Sequence, residues 1–183
     1  KWGIGDFACD YIFINKMKIN FDLPGTLGVV QAYSVWKDKK EQQHYPQINT
    51  TEYLENSSFH PQLNFLYLTL ADLSEDLIKK LKNDPTAVLI IDTYNEHGMV
   101  EQRQIFRELL AQKCSTPVII GRYYGDLPSA NMQLFSATDM GALLIDGLGE
   151  GVFIAAENCG PLSIVNQTAF GILQASRTRI SKT

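Results

Sequence analysis

The chain has 183 residues, enough for one domain with a substantial buried core. Its 45% hydrophobic and 20% charged content is that of an ordinary globular protein. A net charge of −4 gives no general basic field for nucleic acid or an anionic membrane, and no apolar run approaches the roughly 20 residues that span a bilayer.

Residues 1–62 are the less regular part of the chain. The alternation in "YIFINKMKINF" predicts a strand from Phe13 to Phe21, followed by a turn at Pro24-Gly25. "LGVVQAYSVW" (27–36) reads as its partner or as another core strand. Lys37 to Pro61 is polar, carries two prolines and has no clear period. It is expected to be a long surface connection with a short helix near Thr51–Asn56.

From residue 63 to the end, strand and helix alternate as βα repeats. "LNFLYLTL" (63–70) is short and rich in Leu and aromatics, as a buried strand is. Ser74 then caps a helix with Glu75 and Asp76 in its first turn, where the dipole favours acids, and Leu77, Ile78 and Leu81 on its apolar face. "AVLIID" (87–92) is a near-continuous apolar run, typical of a parallel strand covered on both faces. Met99 to Lys113 is helical by period, with Ile105, Phe106, Leu109 and Leu110 expected to face inward. "PVIIG" (117–121) is a third such strand, and a helix from about Asn131 to Asp146 follows. Gly147 and Gly149 suit its termination, because glycine takes the left-handed conformation at little cost. "GVFIAA" (151–156) is the fourth strand and the last helix begins near Ser163.

This pattern predicts one α/β domain over residues 1–183 with a mostly parallel sheet of βα units and right-handed crossovers. Period alone leaves two architectures open, a barrel-like, TIM-related and incomplete sheet or an open doubly wound one. Both put ligands at the carboxyl ends of the strands. There, "DTYNEHG" (92–98) holds Asp92, Glu96 and His97, an acid and a base fit for proton transfer but equally fit to shape a loop. "RYYGD" (122–126) pairs Arg122 with Tyr123, which suits an anion, a ring or an interface. "DGLGEG" (146–151) has its glycines after a helix and before a strand, the wrong order for a phosphate loop, and reads as a tight turn. His44, His60 and His97 show no ligand spacing and there is no Cys-x-x-Cys, so no metal site is expected on this chain. Cys9, Cys114 and Cys159 are an odd, sparse set that argues against a disulfide framework. With no secretion segment in view, they point to a reducing, cytoplasmic setting.

The C-terminal third is more distinctive. "LFSATDMGALLIDGLGEGVFI" (134–154) followed by "FGILQASRTRISKT" (170–183) resembles 4-hydroxy-3-methylbut-2-enyl diphosphate synthase, in particular its large three-domain form. The matching pattern is a helix ending on Leu143, Leu144, Asp146, Gly147, Gly149, Glu150 and Gly151, with Glu at 150 where the family has Asp. A second helix closes on Gln174, Arg177, Arg179, Lys182 and Thr183.

The resemblance implies that this chain is the inserted middle domain, a barrel-like structural spacer between a catalytic barrel and an iron–sulfur domain of the same parent chain. It implies a parent oxidoreductase of isoprenoid biosynthesis, on the methylerythritol phosphate pathway. That parent opens methylerythritol cyclodiphosphate reductively to hydroxymethylbutenyl diphosphate, on a [4Fe–4S] cluster fed by ferredoxin or flavodoxin. No cluster ligand or catalytic residue falls on this chain, which is expected to be inactive alone and to hold no cofactor. Arg177, Arg179 and Lys182 would lie at the hinge to the next domain. Two other expectations stand beside the spacer. One is a binding module for the electron donor or an effector, using Asp92, His97, Arg122 and Tyr123. The other is an unrelated small α/β enzyme working through His97 and Asp92.

Overall fold

A computed structural model describes residues 9–180, with backbone only for 178–180. Seven strands form one sheet: β1 (Tyr11–Asn15), β2 (Gly28–Ala32), β3 (His44–Asn49), β4 (Asn64–Leu68), β5 (Ala87–Ile91), β6 (Val118–Gly125) and β7 (Gly151–Glu157). Six α-helices intervene or follow: α1 (Tyr33–Lys39), α2 (Thr50–Glu55), α3 (Glu75–Leu81), α4 (Met99–Ala111), α5 (Ser129–Ile145) and α6 (Leu162–Ile180). Every pairing is parallel, and the spatial order of the strands is the order of the chain, β1 to β7.

That order decides between the two expected architectures. A doubly wound sheet reverses direction at a switch point, which sends helices to both faces. A sheet wound one way with right-handed crossovers keeps its helices on one face and curls away from them. Here Phe13 and Phe153, from the two edge strands, meet across the concave face with ring centroids 4.4 Å apart. The fold is therefore an incomplete barrel, open between β7 and β1.

Side chains alternate across the sheet, and both faces are apolar. Ile48, Leu66, Leu68, Leu89, Ile91 and Ile120 point outward and are buried with Leu77, Leu81, Ile105, Leu109, Met140 and Leu143 of the helices. Val30, Phe65 and Ile90 point inward and are buried by Phe13, Tyr45, Tyr67, Val88, Ile119 and Phe153. Two covered faces explain why β4, β5 and β6 read as near-continuous apolar runs.

The N-terminal part departs from expectation. β1 ends at Asn15, whose φ of 52° turns the chain, so the strand does not reach Phe21. The segment 27–36 is strand only to Ala32. Tyr33 and Trp36 then bury one face of α1, and Trp36 Nε1 donates to the carbonyl of His44 at 2.9 Å. The expected surface connection 37–61 contains a whole strand, β3, seated between β2 and β4. The short helix is present as α2, closed by a capping box in which Asn49 Oδ1 accepts from Glu52 N at 2.8 Å and Glu52 Oε2 from Asn49 N at 3.0 Å. In α4, Leu110 points out and is 66% exposed.

The Gly-rich turn behaves as expected. Leu148 N donates to Leu143 O and Gly147 N to Leu144 O, both at 3.0 Å, the paired bonds of a Schellman stop, with Gly147 at φ 77°. Glu150 then fastens the start of β6: its Oε2 accepts from Val118 N at 2.7 Å while its own N donates to Val118 O at 2.8 Å.

Candidate functional site

The carboxyl ends of β4 to β7 carry the residues singled out from sequence. Strand parity divides them. On β6, Ile120, Arg122 and Tyr124 face the helices, whereas Ile119, Gly121 and Tyr123 face the concave side.

Arg122 is therefore not at the mouth. It is 4% exposed, and its Nε lies 3.1 Å from Oδ2 of Asp139, a 5%-exposed residue of α5. Its Nη1 donates to the carbonyls of Asn95 (3.0 Å) and Thr93 (3.4 Å), and its Nη2 to that of Glu96 (2.8 Å). The guanidinium thus ties the whole β5–α4 loop to β6. Gly98 makes room for it, since a Cβ there would stand 2.5 Å from Arg122 Nη1. Gln102, fully buried, adds a second tie by donating to Ile91 O (3.1 Å) and Gly121 O (2.7 Å). Thr93 and Asn95 both donate to Glu101, which fixes the loop's other end.

Asp92 does face the concave side, where the Tyr67 hydroxyl donates to its Oδ2. It is 7% exposed, and its Oδ1 has no hydrogen-bond partner. Burial, then the bond to Asp92 and the nearby charges of Asp92 and Asp72, hold the Tyr67 hydroxyl well above the ordinary tyrosine range. Two strands away the Tyr123 hydroxyl donates to Glu157 Oε2 at 2.6 Å, and that bond pushes it up as well. His97 lies exposed on the β5–α4 loop. The four strand-end candidates are thus dispersed: Arg122 in the helix layer, Asp92 and Tyr123 at two points of the mouth, His97 outside it. Tyr67, Glu157, Gln102 and Asp139 escaped the sequence reading. Parity counted from the apolar positions of β4 and β6 would have flagged Tyr67 and the outward turn of Arg122.

Chemically, this edge presents phenols that stay protonated and donate to carboxylates. The Arg122 guanidinium points away from the mouth, into the helix layer, where it pairs with Asp139. Below the mouth the concave face is filled by packed rings: Phe13 with Phe65 at 5.7 Å, Tyr11 with Phe65 at 5.0 Å and with Tyr45 at 5.8 Å. A recess of about 250 Å³, lined by Asp10, Tyr11, Thr26, Gly28, Gln43 and Tyr45, lies at the opposite edge, where the strands begin. Among the described residues no three His, Cys, Asp or Glu side chains are grouped to hold a metal ion. Cys9 and Cys114 lie toward the edge where the strands begin, ahead of β1 and β6, and Cys159 is buried beyond the carboxyl end of β7, so the three are not grouped as cluster ligands. Arg177 is exposed near the end of α6, Arg179 lies in the same helix, and Lys182 falls outside the described residues.

No protein-family model matches the chain, and no solved structure does. Curated relatives are clear. A 4-hydroxy-3-methylbut-2-en-1-yl diphosphate synthase (flavodoxin) of Parabacteroides distasonis is 34% identical over 174 residues, which cover 95% of this chain and 28% of that protein. The synthase of the same description from Phocaeicola vulgatus is 38% identical over 141 residues, 76% of this chain and 23% of its own length. That of Bacteroides thetaiotaomicron is 30% identical over 177 residues, 97% and 28%. The chain thus spans about a quarter of the length of the relatives it matches. Along nearly all of its length it is a relative of one segment of the 4-hydroxy-3-methylbut-2-en-1-yl diphosphate synthases.

Proposed function

We propose that this chain is a structural segment of a larger 4-hydroxy-3-methylbut-2-enyl diphosphate synthase, placing a catalytic barrel and an iron–sulfur domain relative to each other while doing no chemistry itself. The observation that carries the reading is the state of the carboxyl edge: its acids Asp92 and Glu157 are engaged by Tyr67 and Tyr123, and Arg122 is turned into the helix layer against Asp139. The parent would open methylerythritol cyclodiphosphate by two-electron reduction. Its [4Fe–4S] cluster would be held outside this chain, whose cysteines do not fit one. The relatives' names carry flavodoxin, which supports that donor over ferredoxin. Arg177, Arg179 and Lys182 would stand at the hinge to the cluster domain.

The test is the full-length protein carrying Tyr67→Phe, Asp92→Asn and Tyr123→Phe together. A spacer predicts turnover within about twofold of the unaltered protein, with about four irons per chain. A loss of about tenfold or more at full iron content would make the mouth a working site and end the spacer reading. A second reading, docking of the electron donor at this edge, draws on Tyr94 (93% exposed) and Tyr123 (56% exposed). It predicts that Tyr94→Ser with Tyr123→Ser raises the KM for flavodoxin and leaves kcat unchanged.

A further inference from the structure

Charge is unevenly spread over the outer surface of the half-barrel. The chain as a whole is 20% charged, and α3 and α4 carry Asp76, Lys79 and Arg107 at exposed positions. The wall formed by α5 and α6 is different. Across residues 127–145 and 158–176 the one charged residue is Asp139, and it is buried against Arg122.

The two helices lie side by side and run the same way, from the carboxyl edge to the starting edge. Val165 packs with Met132 early in α5, and Ile172 lies beside Gly141 in its second half. Their exposed positions hold Leu134, Ala137, Thr138 and Ile145 on α5, and Gln167 and Gly171 on α6. Leu134 is 60% exposed. A surface helix that meets only water turns charged and polar groups outward. This pair turns out apolar, small and uncharged groups, the composition of an interface core, from which charge is depleted.

Gly171 is a second, independent indication. It sits in the interior of α6, where glycine costs about 0.5–1 kcal/mol relative to alanine. Nothing among the described residues asks for it: its φ is not positive, and a Cβ built there meets no atom within 4 Å. A glycine that the fold does not need leaves the helix backbone open to close approach from outside.

Charge and area together indicate the occupant. In a two-fold contact the same patch serves both sides, so a side chain near the axis faces its own copy. The charges of α3 and α4 would repel in that setting, and the α5–α6 wall has none to repel. With 17 and 19 residues the helices are about 25–28 Å long, and at about 10 Å between axes the pair is about 20 Å wide. The wall thus offers about 500 Å² on each copy and about 1,000 Å² in all, which reaches the lower bound for a specific interface.

We infer that the α5–α6 wall is a two-fold interface with a second copy of this chain. α5 and α6 lie antiparallel on their copies as a four-helix layer, which also opposes the helix dipoles. The small area makes the association weak, with a dissociation constant of about 1–10 μM. The inference concerns a surface that the spacer reading leaves unassigned, and it stands apart from that reading.

Sedimentation velocity on the full-length protein, from about 1 to 100 μM, tests it. A concentration-dependent equilibrium of monomer and dimer is expected. Leu134→Lys, which places two like charges in the interface, and Gly171→Leu, which blocks the close approach, should each weaken association about a hundredfold or more while leaving the circular dichroism unchanged. Val100→Lys, at a 70% exposed position of α4, should leave association as it was. A protein that stays monomeric at the highest concentration overturns the proposal, and oxidative footprinting that still finds Leu134 shielded would assign the wall to another part of the same polypeptide. A dimer that survives both wall substitutions, or that Val100→Lys disrupts equally, also overturns it, because its interface then lies elsewhere.

Discussion

Replacing Arg122 by methionine tests the account of the carboxyl edge most directly. The substitution keeps much of the side chain's volume and removes the guanidinium. Asp139, 5% exposed, then loses the cation 3.1 Å from its carboxylate, and the carbonyls of Thr93, Asn95 and Glu96 lose their donor. Breaking a buried pair from one side costs about 3–5 kcal/mol, because a charge is left without compensation. Asn95 and Glu96 are exposed, so water can replace the donor there and those bonds add little. The expected loss is about 4 kcal/mol, or a fall of about 8–16 °C in Tm for a chain of this size. Urea unfolding of the 183-residue chain, followed by circular dichroism, reads it. Removing both charges with Arg122→Met and Asp139→Leu should recover about 1–3 kcal/mol of the loss, because no uncompensated charge remains. A single variant that loses less than about 1 kcal/mol, or a double variant no better than the single, would refute the view that Arg122 is held by its buried counter-ion.

Two further predictions bear on the same edge. Gly98→Ala should destabilise by about 1–3 kcal/mol, since the new Cβ would stand 2.5 Å from Arg122 Nη1 and 2.7 Å from Thr93 Cγ2; in the Arg122→Met background the same change should cost measurably less, and equal costs in both backgrounds would remove the steric link. The Tyr53 and Tyr67 hydroxyls are both held above the ordinary value of 10.0, first by burial and then by donation to Asp84 and Asp92. Above about pH 10 the unfolded chain releases protons that the folded chain keeps, so stability should fall as pH rises, by at most about 1.4 kcal/mol per pH unit per hydroxyl and by less at Tyr67, which is partly exposed whereas Tyr53 is buried. Urea midpoints from pH 8 to 11 should show that decline, and Tyr53→Phe with Tyr67→Phe should flatten it; an unchanged decline would show that other groups cause it.

The sequence reading succeeded where two covered faces impose apolar runs, in β4 to β6 and the helices that follow them. It failed at β3 because that strand satisfies the same architecture with different chemistry. His44, Pro46 and Ile48 face the helices and Tyr45, Gln47 and Asn49 the concave side, so neither a run nor an alternation of apolar residues shows, and Pro46 argues against a central strand. α1 was hidden by the strand preference of Tyr33, Val35 and Trp36, although the i, i+3 spacing of the two buried rings is helical. At the candidate site, position was legible and direction was not. Arg122 and Tyr123 are adjacent in sequence and lie on opposite faces of the sheet, and only the register against β5 and β7 shows which faces the mouth. The pairing of Tyr67 with Asp92 joins residues 25 apart, through a contact that no local pattern encodes.

The one-way strand order also bears on how the chain acquires its fold. Each strand pairs with its predecessor in the sequence, so no step of sheet growth waits for distant parts of the chain to find each other. A polypeptide leaving the ribosome can add one βα unit after another onto a sheet already formed behind it. The contact of Phe13 with Phe153 is different, for it joins the first strand to the last and can form only when β7 has been made. Until then every intermediate ends in a fresh apolar edge able to pair with a neighbouring chain. The growing half-barrel is thus easy to assemble and sticky at each stage, so association with a wrong partner competes with every addition of a strand.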